Sequence, residues 1–389
     1  MTSEERTRWV VEQARAAGFD LCGVARVEDF EELERLPEWL ARGYAGEMEY
    51  LRDARRGSPT RVLAGARSLI VCALNYNTPL PYSTEVPLRA DEDARPLGRI
   101  SRYAWGDDYH LIMQEKLEAL LAALRRQFTE PFDARAYVDT GPVVERIGAK
   151  YAGLGWLAKN TCLINSELGS WLFLGVILTT LEFAPSLSAA QAAPPDLCGS
   201  CRLCIEACPT GALVEPYLLD ARQCISYLTI ELRGSIPAEL REPMGRMVFG
   251  CDICQDVCPW NRSAPVTSIA AFLPRAAQIK PVGAQHAAPP RTTRDEATRN
   301  EDSLFAPELE WLASLNEDEF REVFRASAVR RAKWRGLVRN ACVALGNSGA
   351  RPGTAAHGRI VALLGRLAGS GDALIAEHAR WALGRLRSP

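Results

Sequence analysis

The chain has 389 residues, 47% of them hydrophobic and 24% charged, with a formal net charge of −2. At roughly 150 residues per domain this predicts two or three folded units, and the composition excludes a disordered or fibrous polypeptide. The near-neutral total excludes a strong overall attraction to nucleic acid or membrane, but from Arg321 onward thirteen Arg/Lys stand against three Asp/Glu, an asymmetry that points to an anionic partner for the C-terminal part.

Residues 5–16 predict an amphipathic helix with Val10, Val11, Ala14 and Ala17 on one face, followed by a short strand over Phe19–Val24. Ser68–Leu74 is a continuous apolar run of strand length after a turn-rich lead-in at Pro59–Gly65. Tyr109–Phe128 predicts a long helix that buries Leu111, Leu117, Leu120, Leu121 and Leu124. A strand over Ala136–Val138 ends at the turn Asp139-Thr140-Gly141-Pro142, Val143–Tyr151 is expected to be helical, and Trp171–Leu181 is apolar and β-rich. Residues 1–190 therefore predict a mixed α/β domain within an α+β chain, closed by an Ala-, Pro- and Ser-rich linker at 185–196.

A cysteine-rich unit follows at 191–262, then a loop or insertion at 263–306 without clear periodicity. Residues 307–389 predict helices throughout. Three apolar stripes mark them: Leu337, Val338, Ala341, Cys342 and Leu345; then Ile360, Val361, Leu363, Leu364 and Leu367; then Leu374, Ile375, Ala379, Ala382, Leu383 and Leu386, with Gly346 and Gly369 as terminators. Paired short helices of this kind suggest a HEAT-like fragment. The polar start at Met1–Arg8 and the lack of an apolar run of about 18 residues predict neither signal peptide nor membrane helix. A cytoplasmic chain keeps its thiols reduced, so clustered cysteines are read as metal ligands.

Cys198, Cys201, Cys204 and Cys208 follow Cys-x2-Cys-x2-Cys-x3-Cys, closed by Pro209. This is the bacterial ferredoxin run, whose fourth thiolate serves the other cube of a [4Fe–4S] pair. Cys251, Cys254 and Cys258 form a second run, closed by Pro259, and Cys224 lies between. A plain two-cluster ferredoxin would carry one more cysteine after Cys254, and Cys224 is its replacement. The ligand sets are then Cys198, Cys201, Cys204 and Cys258 for one cluster, and Cys208, Cys224, Cys251 and Cys254 for the other. A pair of zinc sites is the alternative. Cys22, Cys72 and Cys342 read as small core residues, whereas Cys162 sits within Asn160-Thr161-Cys162 beside a candidate site.

Next to Asp139-Thr140-Gly141-Pro142-Val143-Val144-Glu145-Arg146, these cysteines resemble the epoxyqueuosine reductase family. Ala152-Gly153-Leu154-Gly155-Trp156 with Lys159-Asn160-Thr161, Gly169-Ser170-Trp171 and Arg102-Tyr103-Ala104 agree with it. So do Arg330-Arg331-Ala332-Lys333 and Arg339-Asn340 before Ala344-Leu345-Gly346-Asn347. The resemblance spans most of residues 1–262 and resumes near 307. It implies cobalamin beside two [4Fe–4S] clusters, an N-terminal domain like that of reductive dehalogenases, and removal of the epoxide oxygen from epoxyqueuosine at the wobble position of tRNA anticodons. It also implies a monomer, an external electron donor of the flavodoxin or ferredoxin type, and a catalytic aspartate at Asp139. Met113 stands where the Asp-x-His-x-x-Gly cobalamin motif beginning at Asp108 would need glycine, so cobalamin without a histidine ligand is expected.

Turning an epoxide into an alkene takes two electrons and releases water, and a cofactor must carry the electrons. The leaving oxygen needs a proton, expected from an Asp139 whose pKa is raised by burial. Asn160, Thr161 and Ser170 are expected to line the corrin, with Leu163 packing nearby. Arg102 and Tyr103 are expected to reach cofactor or nucleotide, and by resemblance Asp252 faces the cobalamin side. Arg330, Arg331, Lys333, Arg335 and Arg339 form a candidate tRNA-binding patch. The alternatives are a dehalogenase-like reductase of a small molecule and a ferredoxin-type electron carrier without catalysis.

Overall fold

The computed structural model describes residues 1–85, 95–187, 195–275 and 303–387. Residues 188–194 of the expected linker and 276–302 of the expected insertion lie outside them. The N-terminal part is built on a four-stranded sheet. Its strands are β1 (Leu21–Arg26), β2 (Ser68–Asn75), β3 (Ala134–Tyr137) and β4 (Leu172–Thr179). They lie in the order β1-β2-β4-β3, every pair antiparallel, with Ser68 opposite Thr179 and Ala134 opposite the same Thr179.

All eight residues of β2 are buried, because each face of the sheet carries its own core. Ile70, Cys72 and Leu74 meet Val10 and Ala14 of helix α1 (Ser3–Ala16) and Met113, Leu117, Leu120, Leu121 and Leu124 of helix α2 (Tyr109–Gln127). Leu69, Val71 and Ala73 face the other way, against Ala149 of helix α3 (Glu145–Tyr151), Leu154 and Leu163. Leu111 departs from the expectation. It is 61% exposed, since two residues before Met113 is about 200° around the helix from the buried stripe.

The C-terminal helices are α4 (Leu309–Ser314), α5 (Glu317–Val323), α6 (Lys333–Gly346), α7 (Ala355–Ala368) and α8 (Ala373–Arg387). The three expected stripes face inward, and α8 packs against both α6 and α7. Their core does not stop at residue 307. One apolar cluster runs from Ile100 and Trp105 through Val248, Phe249 and Phe305 to Phe324, Leu345 and Leu364. The strand Met247–Phe249, just before Cys251, pairs in parallel with Arg99–Ile100. The described start of the insertion is docked, not loose: the Asn75 and Asn77 amides bond the Pro265 and Ala264 carbonyls at 2.8 and 3.0 Å, and Phe272 is buried.

Candidate active site

A strand end and a helix start converge on one group of side chains. Asp139 follows β3 with a left-handed φ of 55°, a conformation aspartate tolerates better than most residues. Asp108 caps α2. Its carboxylate accepts the His110 backbone N–H at 3.1 Å and lies 2.7 Å from the ring Nδ1. The other ring nitrogen, Nε2, is buried without a hydrogen-bond partner and lies 3.5 Å from Asp139 Oδ2. Tyr109 holds the imidazole from the side, stacking on it at 4.1 Å and on Phe173 at 4.2 Å. Tyr103 packs edge-on to Tyr109 and against Phe249.

Burial opposes a charge on His110, but the Asp108 hydrogen bond and the nearby Asp108 and Asp139 carboxylates outweigh it and push its pKa up to about 9. The same contact with His110 holds the Asp139 carboxyl below the ordinary carboxylate range. The expected rise is therefore overturned. Burial does act against ionisation, but the cationic partner wins, and the side chain remains 66% exposed to water in a densely walled recess. The carboxyl raised by burial is that of Glu145, pushed up to about 7, with one buried oxygen lacking a partner. Around this group stand Tyr50, Arg56 and an Arg331 paired with Glu231 at 2.8 Å.

The cysteines fall into two neighbourhoods. Cys204 has Cys198 and Cys201 beside it, and Cys258 has Cys198 and Cys204. Cys224 and Cys251 have Cys208 beside them, and Cys254 has Cys251 and Cys224. All eight are free thiols.

Residues 197–261 match the family described as a 4Fe-4S double cluster binding domain, and residues 56–140 match that described as Epoxyqueuosine reductase QueG, DUF1730. The epoxyqueuosine reductase of Gloeobacter violaceus is 43% identical over 345 residues, covering 87% of this chain and 95% of its own. The chain belongs to the epoxyqueuosine reductase family. It is accordingly an oxidoreductase, which sets aside the non-catalytic electron carrier. A crystal structure of an epoxyqueuosine reductase with an epoxyqueuosine-modified tRNA-Tyr stem loop is 28% identical, with a TM-score of 0.80 over 99% of this chain and 91% of that one. The Bacillus subtilis epoxyqueuosine reductase, solved with its catalytic aspartate loop swung out of the active site, is also 28% identical, with a TM-score of 0.78 over 99% and 91%.

In this member of the epoxyqueuosine reductase family, several side chains expected at the cofactor are committed to protein partners. Arg102 is 2% exposed. Its guanidinium donates to Thr78 Oγ1 and to the Thr78, Leu80 and Pro81 carbonyls at 2.7–3.1 Å, sandwiched by Trp105 and Trp171. These bonds pin the loop at residues 78–81. Ser170 bonds Gln255 and Asn261 at 3.0 and 2.9 Å, and the Asn160 amide donates to the Cys254 carbonyl at 3.1 Å. Both hold the cysteine segment. Leu163 is in the core beneath the sheet. Asp252 is buried, accepting from the Ser101 hydroxyl and from the Arg102 backbone N–H at 2.6 Å. Tyr103 stays at the site, whereas the Thr161 carbonyl accepts from the Arg146 guanidinium at 2.5 Å. Tyr103 stands between Asp139 and Asp252. Thr161, at a φ of 65°, lies between Asn160 and Cys162, whose thiol meets Cys254.

Arg330, Arg331, Lys333 and Arg335 are exposed. Arg339 is a correction. It is 0% exposed, and its guanidinium bonds the Leu228, Leu232 and Gly234 carbonyls at 2.6–2.9 Å. The chain order placed it one helical turn from Arg335, but the stripe it belongs to faces inward. His110 was read from sequence only as a rejected cobalt ligand, and Glu145 not at all as a titrating group. Their neighbours come from distant parts of the chain, so only the spacing Asp108-x-His110 hinted at the pairing.

Proposed function

We propose that this protein reduces epoxyqueuosine to queuosine at the tRNA wobble position, using cobalamin and two [4Fe–4S] clusters, with Asp139 as the final proton donor. The observation that carries this reading is the Asp139–His110 pair set beside Tyr103, whose other side borders the Asp252 loop of the cluster segment. Cys198, Cys201, Cys204 and Cys258 would hold one cluster and Cys208, Cys224, Cys251 and Cys254 the other, as the two thiol neighbourhoods suggest. The donor set fits: each neighbourhood gathers four thiols, one for each iron corner of a cube. The buried Trp156 indole N–H, unpartnered in the protein and beside Cys198, is a ready donor to a cluster sulfur.

Tyr103, beside Asp139, and Thr161 would hold cobalamin. The buried, unpartnered His110 Nε2 and Glu145 Oε1 support a polar ligand there. Cobalamin, when bound, supplies the electrons to the substrate carbon. Asp139 delivers a proton to the leaving oxygen, and Tyr109, itself backed by Phe173, covers one face of the proton-bearing ring. The exposed Arg330, Arg331, Lys333 and Arg335 would meet tRNA phosphates. Their patch adjoins the site, with Arg330 near Asp108 and Arg331 near Asp139. The domain limits 1–190, 191–262, 263–306 and 307–389, the dehalogenase-like and HEAT-like folds of the first and last, a cytoplasmic monomer and a flavodoxin- or ferredoxin-type donor belong to the same reading. Among the described residues no helix is long and apolar enough to cross a membrane.

Asp139→Asn tests the proposal on epoxyqueuosine-containing tRNA. Turnover should fall by about 100-fold or more, with iron and cobalamin content unchanged. Near-normal turnover would remove Asp139 from the chemistry. Activity on a halogenated small molecule but not on the tRNA would favour the dehalogenase-like alternative.

A further inference from the structure

We infer that His110, clamped between Asp108 and Asp139, is the proton store that loads Asp139 during turnover. The inference rests on Asp139 being the final donor, and it adds where that proton comes from. The Nδ1–H of the ring is taken by Asp108 at 2.7 Å, which leaves Nε2 as the exchanging atom. That nitrogen is buried, has no hydrogen-bond partner, and lies 3.5 Å from Asp139 Oδ2. An approach of a few tenths of an ångström makes this a proper hydrogen bond. The ring is already aligned, because Tyr109 stacks on it and is itself stacked on Phe173 with the planes 1° apart.

The stoichiometry gives such a store a use. Both carbon–oxygen bonds of the epoxide break, a carbon–carbon double bond forms, and oxygen leaves as water. Two electrons and two protons are consumed. The electrons would come singly from an external low-potential one-electron donor, and the cysteine-held clusters would relay them. A lone carboxylic acid holds one proton, and Asp139 beside His110 is ionised at rest. The dyad's proton therefore sits on the imidazole, which stays charged up to about pH 9. His110 Nε2 gives its proton to Asp139 Oδ2 and Asp139 passes it to the leaving oxygen, which leaves the carboxylate ionised and the imidazole neutral until solvent reprotonates the imidazole for the second transfer.

The groups facing the dyad come from five places. Asp108, Tyr103 and Tyr109 belong to the α2 entry, Asp139 follows β3, Glu145 begins α3, Arg330 and Arg331 lie in the turn before α6, and Tyr50 and Arg56 come from the segment between β1 and β2. The carboxylates nearest the ring favour the imidazolium, and the arginines moderate that preference.

The test is the pH dependence of kcat in the loaded enzyme. Wild type should lose activity with a midpoint near pH 9, as His110 loses its proton. In His110→Gln the proton must reside on Asp139 itself, so the fall should move to the carboxylate range, about pH 4. At neutral pH kcat should drop at least about ten-fold, with KM for tRNA and cofactor content unchanged. A uniform loss whose alkaline limb stays near 9 would overturn the inference. Titration of isotope-labelled histidine in the intact wild-type protein, which has four histidines, gives a check independent of any variant. A His110 midpoint at the ordinary value of about 6.5 would overturn it equally. Asp139→Asn separates the two ideas: near-normal turnover there sinks the donor role of Asp139, whereas an unshifted His110→Gln profile sinks only the store.

Discussion

Arg102 shows how a single buried charge organises the ground beside the site. Its guanidinium satisfies one hydroxyl and three carbonyls of residues 78–81, and its own backbone N–H holds Asp252. Three aromatic rings, of Tyr82, Trp105 and Trp171, lie within 5.4 Å of its charge. Removing it leaves carbonyls without donors and a cavity between the rings. Arg102→Met should therefore cost about 3–5 kcal/mol, read as a lower denaturant midpoint at unchanged m-value. Wild-type stability with altered tRNA or cofactor affinity would return Arg102 to a ligand-contacting role. The side chain was visible in the sequence as a functional candidate, but its burial was not, because its partners lie some twenty residues upstream and across the sheet.

Helix α6 acts as a clasp. Arg339 and Asn340, on its inward face, bond carbonyls from three separate stretches of the cysteine segment. The Asn340 amide takes Thr229 and Val248 at 2.8 and 2.9 Å, and Asn347 beyond the helix end takes Arg241 and Gly245 at 2.8 and 2.9 Å. These carbonyls border the loop that carries Cys251 and Cys254. Asn340→Leu keeps the volume and removes both donors, at a cost of roughly 2–4 kcal/mol. The specific expectation is faster iron loss under a chelator than in wild type, since the strand before Cys251 is released. Equal iron retention would show that α6 supports the fold without supporting the cluster loops. The apolar stripes of α6 to α8 were legible from periodicity alone. The polar residues among them were not, because a buried Arg or Asn is defined by what it meets across the core.

At the scale of the whole molecule two charge effects follow. In the basic tail Arg331 meets Glu231 at 2.8 Å and Arg335 meets Asp372 at 2.5 Å. Replacing Arg330 and Lys333 with Ala should weaken tRNA binding and flatten the log-affinity against log-salt slope by about one per lost phosphate contact. An unaltered slope would place the tRNA elsewhere. The second effect is acid sensitivity. His378 is 0% exposed and bridges the Ile236 N–H and the Leu374 carbonyl, and burial pulls its pKa down to about 4. The folded value lies below the unfolded one, so this stabilisation is present above about pH 6.5. It declines as pH falls toward 4, by roughly 3 kcal/mol in all. Unfolding midpoints at pH 7 and 4.5 should converge in His378→Gln relative to wild type.

The sequence by itself determined the elements whose information is local. The strands flanking the core show as apolar runs, the helices show as 3.6-residue stripes, and the eight cysteines show by spacing, since a tight loop must place its thiols a fixed few residues apart. It also singled out Asp139, through a turn motif. Tertiary structure alone decided the protonation of that residue, because the pKa depends on His110, 29 positions away in the chain and 3.5 Å away in space. In the same way it ties Arg102, Ser170, Asn160 and Arg339 to protein partners from distant segments. Charge and burial compete over a few ångströms, and which one prevails is settled only when distant segments are brought together.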